Sequence, residues 1–318
     1  MKSSSLAIVL AAACGLLPAS SLMAQNLDAQ RPQIRAALAA AESGRFDASQ
    51  YPGLAAHPLY GWVELADLKR NIDTLPTSRA HSFLKRYEGQ AVAEAFRAQW
   101  LPALSRRQDW PTLRAAWKPS SNVGLQCAEL NARQALGKAD AQWTSDAQKI
   151  WTSTGKALPG SCDPVFAILS TRGGLPTPLR WQRIDKAAAE LQPAVMRSVA
   201  RGLPGGEATL ANDYAAFLEG VHARALNWPR TERSRRMAML GLMRLAKTAP
   251  SAAEVQLPQY ARALGMEESE RGKVQYEIAL WTVASYEPDS ARRLAAVPES
   301  AYDEKLHEWR VREAMARG

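Results

Sequence analysis

The sequence predicts an all-α protein, and three observations carry that expectation. Ala, Leu and Arg dominate the composition while Val, Ile and Thr are thin, which favours helix over strand. No segment alternates apolar and polar residues long enough to make a half-buried strand. Apolar residues recur instead at helical spacing, punctuated by small basic or polar clusters. At 318 residues the chain can form one large domain or two ordinary ones.

The N-terminus stands apart from the fold. "MKSSSLAIVLAAACGLLPASSLMAQ" has Lys2, an apolar run from Leu6 to Leu17, and a small residue at Ala24. This is the form of a secretory signal peptide over residues 1–24, cleaved after Ala24; it is too short and wrongly flanked for a membrane span. "LAAAC" admits a second reading, a lipoprotein modified at Cys14, but the apolar run continues past that cysteine. No other segment is apolar enough to cross a bilayer. The expectation is a soluble periplasmic protein over residues 25–318, without stable membrane insertion.

Export changes how the cysteines read. Loss of the leader removes Cys14 and leaves Cys127 and Cys162 in an oxidising compartment. They form either a disulfide or two buried thiols, and the compartment favours the disulfide. It would close a loop of about 36 residues, worth roughly 4 kcal/mol in the chain-entropy account. The net charge is +9, of which the leader carries only Lys2. In an exported protein that charge argues against nucleic acid and for an anionic wall polymer or membrane surface.

From the leader onward the helices follow in order. "LDAQRPQIRAALAAAESG" reads as a helix ending at Gly44, followed by a short element. In "HPLYGWVELADLKRNI", Leu59, Trp62, Leu65 and Leu68 (or Ala66) share one helical face and are expected to be core. The stretch to Trp117 supplies two or three helices; Gly89 breaks one, and Asp109 with Pro111 marks a cap and first turn. Breaks near 44, 108 and 137 lie one or two units of ~30 residues apart, the spacing of a degenerate helix–turn–helix solenoid. "TRGGLPTP" and "GLPGGE" are turns without a phosphate-binding pattern. "NDYAAFLEGVHARAL" and "RSRRMAMLGLMRLAKTAP" are amphipathic helices, and Ser251 with Glu254 has the spacing of a capping box. No long linker marks a boundary, so one helical array is expected.

Few constellations carry chemistry. His57, His81, His222 and His307 are scattered and never at metal spacing, and no nucleophile or dinucleotide motif occurs. No metal, cofactor or catalytic residue is assigned. Exposed indoles stack on sugar rings, but Trp62, Trp110, Trp181 and Trp309 sit beside helix junctions, where packing is the plainer reading. "RTERSRRM" and "DSARRL" read as solvated helix ends rather than a basic binding face.

Four stretches carry a resemblance. "HPLYGWVEL" is similar to the "HPLYxYLEY"-like helix that opens the helical domain of the soluble lytic murein transglycosylases. "RRQDWPTLRAAW" resembles that family's "RREDW" junction, and the segment holding Cys127 and Cys162 matches a cysteine pair at similar separation. "DSARRLAAVPESAYDEKLHEWRVREAMARG" looks like the family's "RR…P…EWRYW" segment. The resemblance implies the N-terminal, U-shaped superhelical domain of periplasmic enzymes that cut the MurNAc–GlcNAc bond without water. Those enzymes leave a 1,6-anhydro end, with a single glutamate acting as acid and then base.

The departure from the family is as informative. Its catalytic domain follows the superhelix and carries a Glu-Ser pair, then a Gly-Leu-Met-Gln run, and an Asn-Ala-Gly stretch. Here "GLMR" spans Gly241 to Arg244, but no Glu-Ser pair precedes it at the right distance, and Leu240 and Met243 read as core. The chain is therefore expected to be non-catalytic and to stop before the catalytic domain. The face of the last helix bearing Tyr302, Leu306 and Trp309 is expected to lack a partner, inviting self-association. The implied partner is the peptidoglycan glycan strand, held by a scaffold. The alternative is an exported helical-repeat adaptor for another protein, and a self-sufficient glycosidase lacks an assignable carboxylate pair.

Overall fold

Residues 19–317 are described by the structure, a computed structural model; for 19–26 and 317 only the backbone path is described. The expected leader and Cys14 thus lie outside the described residues, apart from the backbone of the leader's last residues. Helices and turns account for all regular structure among the described residues, with no strand. Contacts divide the chain into two compact units, Met1–Pro119 and Ser120–Gly318. The short "KPSS" stretch at that boundary gives no composition signal of it.

The first unit holds α1 (Ala19–Glu42), α2 (Tyr60–Lys69), α3 (Thr77–Arg86), α4 (Ala91–Arg106) and α5 (Trp110–Ala116). Ile34, Ala37 and Ala41, spaced along one face of α1, pack on Leu54, Tyr60 and Val63. α3 meets α4 through a file of rings, Tyr87, Phe83, Phe96 and Trp100, with successive centroids 4.8, 4.9 and 5.5 Å apart. Gly61 lets α2 lie against that file, since a Cβ there would stand 2.8 Å from the Tyr87 ring. As expected, Gly44 and Gly89 follow helix ends, and the Asp109 carboxylate caps α5 by accepting from the Thr112 N–H at 3.3 Å.

The second unit runs through α6 (Val123–Ala135), α7 (Ala141–Trp151), α8 (Asp163–Thr171), α9 (Thr177–Ala189), α10 (Pro193–Ala200) and α11 (Gly205–Glu219). It continues with α12 (Glu232–Ala246), α13 (Pro250–Leu264), α14 (Glu268–Ala284), α15 (Ser290–Ala295) and α16 (Glu304–Arg317). Most helices pack on the next in sequence, and α6 on α8, α9 on α11, α12 on α14 and α14 on α16 besides. That is the contact pattern of stacked helical hairpins. One continuous apolar core runs from Cys127 to Ile278.

The ~30-residue period, weak in the residues, is plain in the polar ties between layers. Arg183 donates to the carbonyls of Trp151 and Lys156, and Lys186 to that of Thr152. Arg172 reaches the Ala139 carbonyl at 2.8 Å and Arg230 the Ala263 carbonyl at 2.8 Å, while Tyr260 donates to the His222 carbonyl at 2.9 Å. Three of these six acceptors, on Trp151, Thr152 and Ala263, lie in or just beyond a helix's last turn, where carbonyls have no partner of their own, and the others lie in the loops that follow.

Several expectations are corrected here. Ser251 and Glu254 do not form a capping box: α13 starts at Pro250 with no side-chain cap, and both residues instead receive Arg293. The capping box lies one helix later, where Glu267 and Glu270 cap α14. "RTERSRRM" and "DSARRL" are not simply solvated ends. Arg233 holds Asp185 at 2.8 and 3.0 Å, Arg235 reaches Glu270 at 3.1 Å, and Arg293 is buried at 3% exposure against Glu254, Thr282 and Ser251. "GLMR" lies within α12, where a Cβ on Gly241 would stand 2.4 Å from the Phe217 ring. Its glycine serves close helix packing; Leu240 and Met243 are partly buried beside the core, with Leu242 deeper.

The C-terminal face is likewise covered. Leu306 is fully buried with Leu280, Val283 and Leu294, Trp309 packs beside them, and the Tyr302 hydroxyl donates to the Leu294 carbonyl. Periodicity shows that a face is apolar, not which helix meets it; here α14 and α15 meet it. Exposure begins a turn later, at Val311 and Met315.

Cys127 and Cys162 are joined, their Cα atoms 4.9 Å apart, linking α6 to the turn before α8. Two outcomes are expected. Non-reducing peptide mapping of protein produced in an oxidising compartment will recover the two cysteines linked, and replacing both with serine will lower unfolding free energy by roughly 4 kcal/mol. Arg183→Met will cost about 2–4 kcal/mol in denaturant unfolding, because two inward carbonyls lose their donor, and Arg183→Lys will restore only part.

Candidate functional site

The strongest concentration of exposed chemistry lies on α2. A helix returns to the same side every three or four residues, so its sequence writes two stripes at once. Leu59, Trp62, Ala66 and Lys69 form one, and Tyr60, Glu64 and Asp67 form the other. Sequence reasoning put Leu59 and Trp62 on one apolar face with Leu65 and Leu68 (or Ala66); Leu65 and Leu68 are buried, yet Leu59 is 51% and Trp62 41% exposed. The helix is fixed instead by Tyr60, Val63, Leu65 and Leu68, packed toward neighbours on more than one side.

The second stripe faces a cleft of about 400 Å³, whose other wall is α3 with Arg79, Ser82, Phe83 and Arg86, and whose rim holds Phe46 and Asp47. Glu64 is its fixed point. One carboxylate oxygen accepts from Arg86 at 2.6 Å and the other from the Tyr87 hydroxyl at 2.6 Å. Arg79 reaches Asp67 at 3.4 Å in a more exposed pair. Asp47 accepts from the Ser49 hydroxyl and N–H, and those two bonds, the hydroxyl's first, lower its pKa. Phe46 stacks on Tyr51 at 5.8 Å and leans toward Tyr60.

These charges set one another. The Glu64 charge and its hydrogen bond raise the Arg86 pKa, keeping the guanidinium charged. Burial first, then the bond to Glu64, pushes the Tyr87 phenol well above its ordinary 10.0. With both oxygens engaged by donors, Glu64 is built as an acceptor and not as a proton donor. The cleft thus sets planar carboxylates and guanidinia beside aromatic rings, an arrangement suited to hydroxyl-rich ligands.

The other sites expected from sequence fall as follows. The four histidines are not brought together. His57 is buried and its Nδ1 accepts from the Leu59 N–H at 3.1 Å, and His81 stands edge-on to Trp100. His222 packs against Phe217 and Trp228, and His307 against Tyr302. No group of three or more metal-ligating side chains occurs among the described residues. Of the four tryptophans named at junctions, Trp181 is buried under Arg233 at 4.4 Å, Trp110 and Trp309 are half-buried, and Trp62 is exposed. Glu64, Asp67, Arg79, Arg86 and Tyr87 were missed from sequence. The signal was there in the spacing of Tyr60, Glu64 and Asp67, with Arg79 and Arg86 two turns apart on the facing helix.

Fold and cleft define an all-α helical-repeat protein with a polar cleft on its first unit. Comparison with known proteins sharpens that class. The chain is homologous to the soluble lytic murein transglycosylases. It is 23% identical to the one from Escherichia coli K12 over 86% of its own length, and 25% identical to that of Salmonella typhimurium over 98%. It spans 43% and 49% of those proteins, less than half of each. In structure it is similar to the 70 kDa soluble lytic transglycosylase of Escherichia coli, with a TM-score of 0.70 and 22% identity over 92% of this chain and 45% of that one. A transglycosylase solved with bulgecin A gives 0.69 over the same shares, and an inactive mutant of Slt from Pseudomonas aeruginosa gives 0.60 at 23% identity, covering 89% of this chain and 47% of that one. No family model matches the chain.

The Glu64–Tyr87 pair has a pH signature. A phenol whose folded pKa is raised stabilises the fold fully below the unfolded value of 10.0, and that share is lost as pH rises through the folded value. Tyr87→Phe is expected to cost about 2 kcal/mol at pH 7. In urea unfolding the gap between parent and variant will narrow above pH 10, and a gap constant with pH will show that the pair is not coupled to folding.

Proposed function

We propose that this chain is the helical, non-catalytic portion of a periplasmic soluble lytic murein transglycosylase, and that its first unit holds peptidoglycan glycan strands. The observation that carries this reading is the sequence likeness to that family along nearly the whole chain, against under half of the relatives' length. The four motif stretches and the cysteine pair agree with it, as does the absence of a membrane-length apolar helix among the described residues.

The cleft gives the reading a place. Sugar hydroxyls are bound by planar side chains that take adjacent hydroxyls in pairs, and sugar faces rest on aromatic rings. Asp67, Arg79 and Arg86 supply the first, with Phe46 and Tyr60 at its side. Glu64 keeps Arg86 oriented. Cleavage needs a carboxylic acid able to give its proton to the leaving oxygen, and no cleft carboxylate is free of its donors. The unit therefore binds and positions glycan, and acts as scaffold for chemistry done elsewhere in the enzyme.

Purified protein mixed with insoluble peptidoglycan sacculi is expected to sediment with them, and Asp67→Ala with Arg79→Ala to weaken retention about tenfold with helix content unchanged. The supernatant will contain no anhydro-ended fragments above blank. Failure to sediment, or unchanged retention of the double variant, will remove the cleft from the reading; released fragments will overturn the non-catalytic assignment.

A further inference from the structure

The first stripe of α2 lines a separate hollow, and nothing in glycan binding accounts for it. Between α1 and α2 runs a groove of about 790 Å³ with an apolar floor. Leu38, Leu59 and Trp62 are among the few large apolar side chains the described chain exposes, and all three lie in this groove. Isolated exposed apolar residues need no explanation, but three converging in one concave site do.

The rim has a sign. Arg35, Lys69 and Arg70 line the groove against a single carboxylate, Glu42. Arg70 is occupied, donating to the Glu42 carbonyl at 2.7 Å. Among the described residues Arg35 and Lys69 have no ion pair or side-chain hydrogen bond, although the arginines of the neighbouring cleft, Arg79 and Arg86, are both paired. An apolar floor beneath two unanswered cations is complementary to a ligand with an apolar stripe and acidic flanks.

We infer that this groove docks an acidic amphipathic helix of another protein. A helix laid in a groove offers anchors at i, i+3, i+4 and i+7, and charge at the rim selects its flanks. A second copy of this chain is a poor occupant. The net charge of +9 repels it, and its own exposed stripe, Val311 and Met315 on α16, is flanked by Arg310 and Arg312. A sugar strand is also disfavoured, because the floor offers few hydroxyl partners.

The probe is a synthetic helix with leucines at i, i+3, i+4 and i+7 and glutamates on its flanks, followed by fluorescence anisotropy with the purified protein. The acidic helix is expected to bind, and the same leucine pattern with lysine flanks to bind at least about tenfold more weakly. Leu59→Gln with Trp62→Gln should lower affinity about thirtyfold, the size of an anchor loss. Both positions are exposed, so circular dichroism should match the parent. Arg35→Glu with Lys69→Glu should reverse the preference toward the lysine helix. Equal binding of a scrambled acidic peptide, or indifference to rim charge, will overturn the inference. So will a dimer that the Leu59/Trp62 variant abolishes, which assigns the groove to a second copy, or displacement of the probe by soluble glycan strands. Sacculus binding through the cleft is a separate measurement, so either proposal can fail alone.

Discussion

A protein made of many short helices has many helix ends, and each leaves up to four carbonyls unpaired at the negative end of the helix dipole. This chain answers them from a distance. Arg70 caps the end of α1, Arg183 and Lys186 the end of α7, Arg244 the end of α11, and Arg230 the end of α13. The donor stands on a different helix or turn from the carbonyl it serves, so the bond that satisfies a helix end also sets where the next layer sits. Each cation counters the dipole at that end as well. This changes the meaning of the basic composition. A net charge of +9 invites a search for an acidic partner, but a good share of the arginines work inside the fold.

The same economy of position appears on α2. Because each turn of a helix presents its successive residues to different sides, ten residues supply one wall to a polar cleft and another to an apolar groove. The walls opposite are different helices, α3 and α1, so the two surfaces are chemically independent though they share a backbone. Gly61 seats that backbone by admitting the Tyr87 ring. Tyr87 then fixes Glu64. Placement of the helix and orientation of the cleft therefore descend from one close contact.

Much of this was legible in the residues. Helix starts at Asp109 and ends at Gly44 and Gly89 were readable because caps and breakers act locally. The pairing of Cys127 with Cys162 was the favoured of two readings once the expected leader and its Cys14 were set aside. What failed was long-range. Ser251 and Glu254 have capping-box spacing, but Arg293, some forty residues away, claims both. Tyr302, Leu306 and Trp309 looked uncovered because the expected cover was a following helix, while α14 and α15 supply it from before. Leu59 and Trp62 fit an apolar stripe by period, yet they stay about half exposed in an open groove. In each case the spacing was right, and the partner was set by a contact that spacing does not encode.

Stacked hairpins come apart from the ends, layer by layer, because each holds only its neighbours. The Cys127–Cys162 link interrupts that sequence. It encloses α7 between two fixed points, so a front of unravelling that reaches this layer cannot peel α6 from the start of α8. Under tension, the covalent loop is a mechanical stop. The second unit then yields as two segments in series, with α6 to α8 behaving as a clamp that outlasts the layers beyond it.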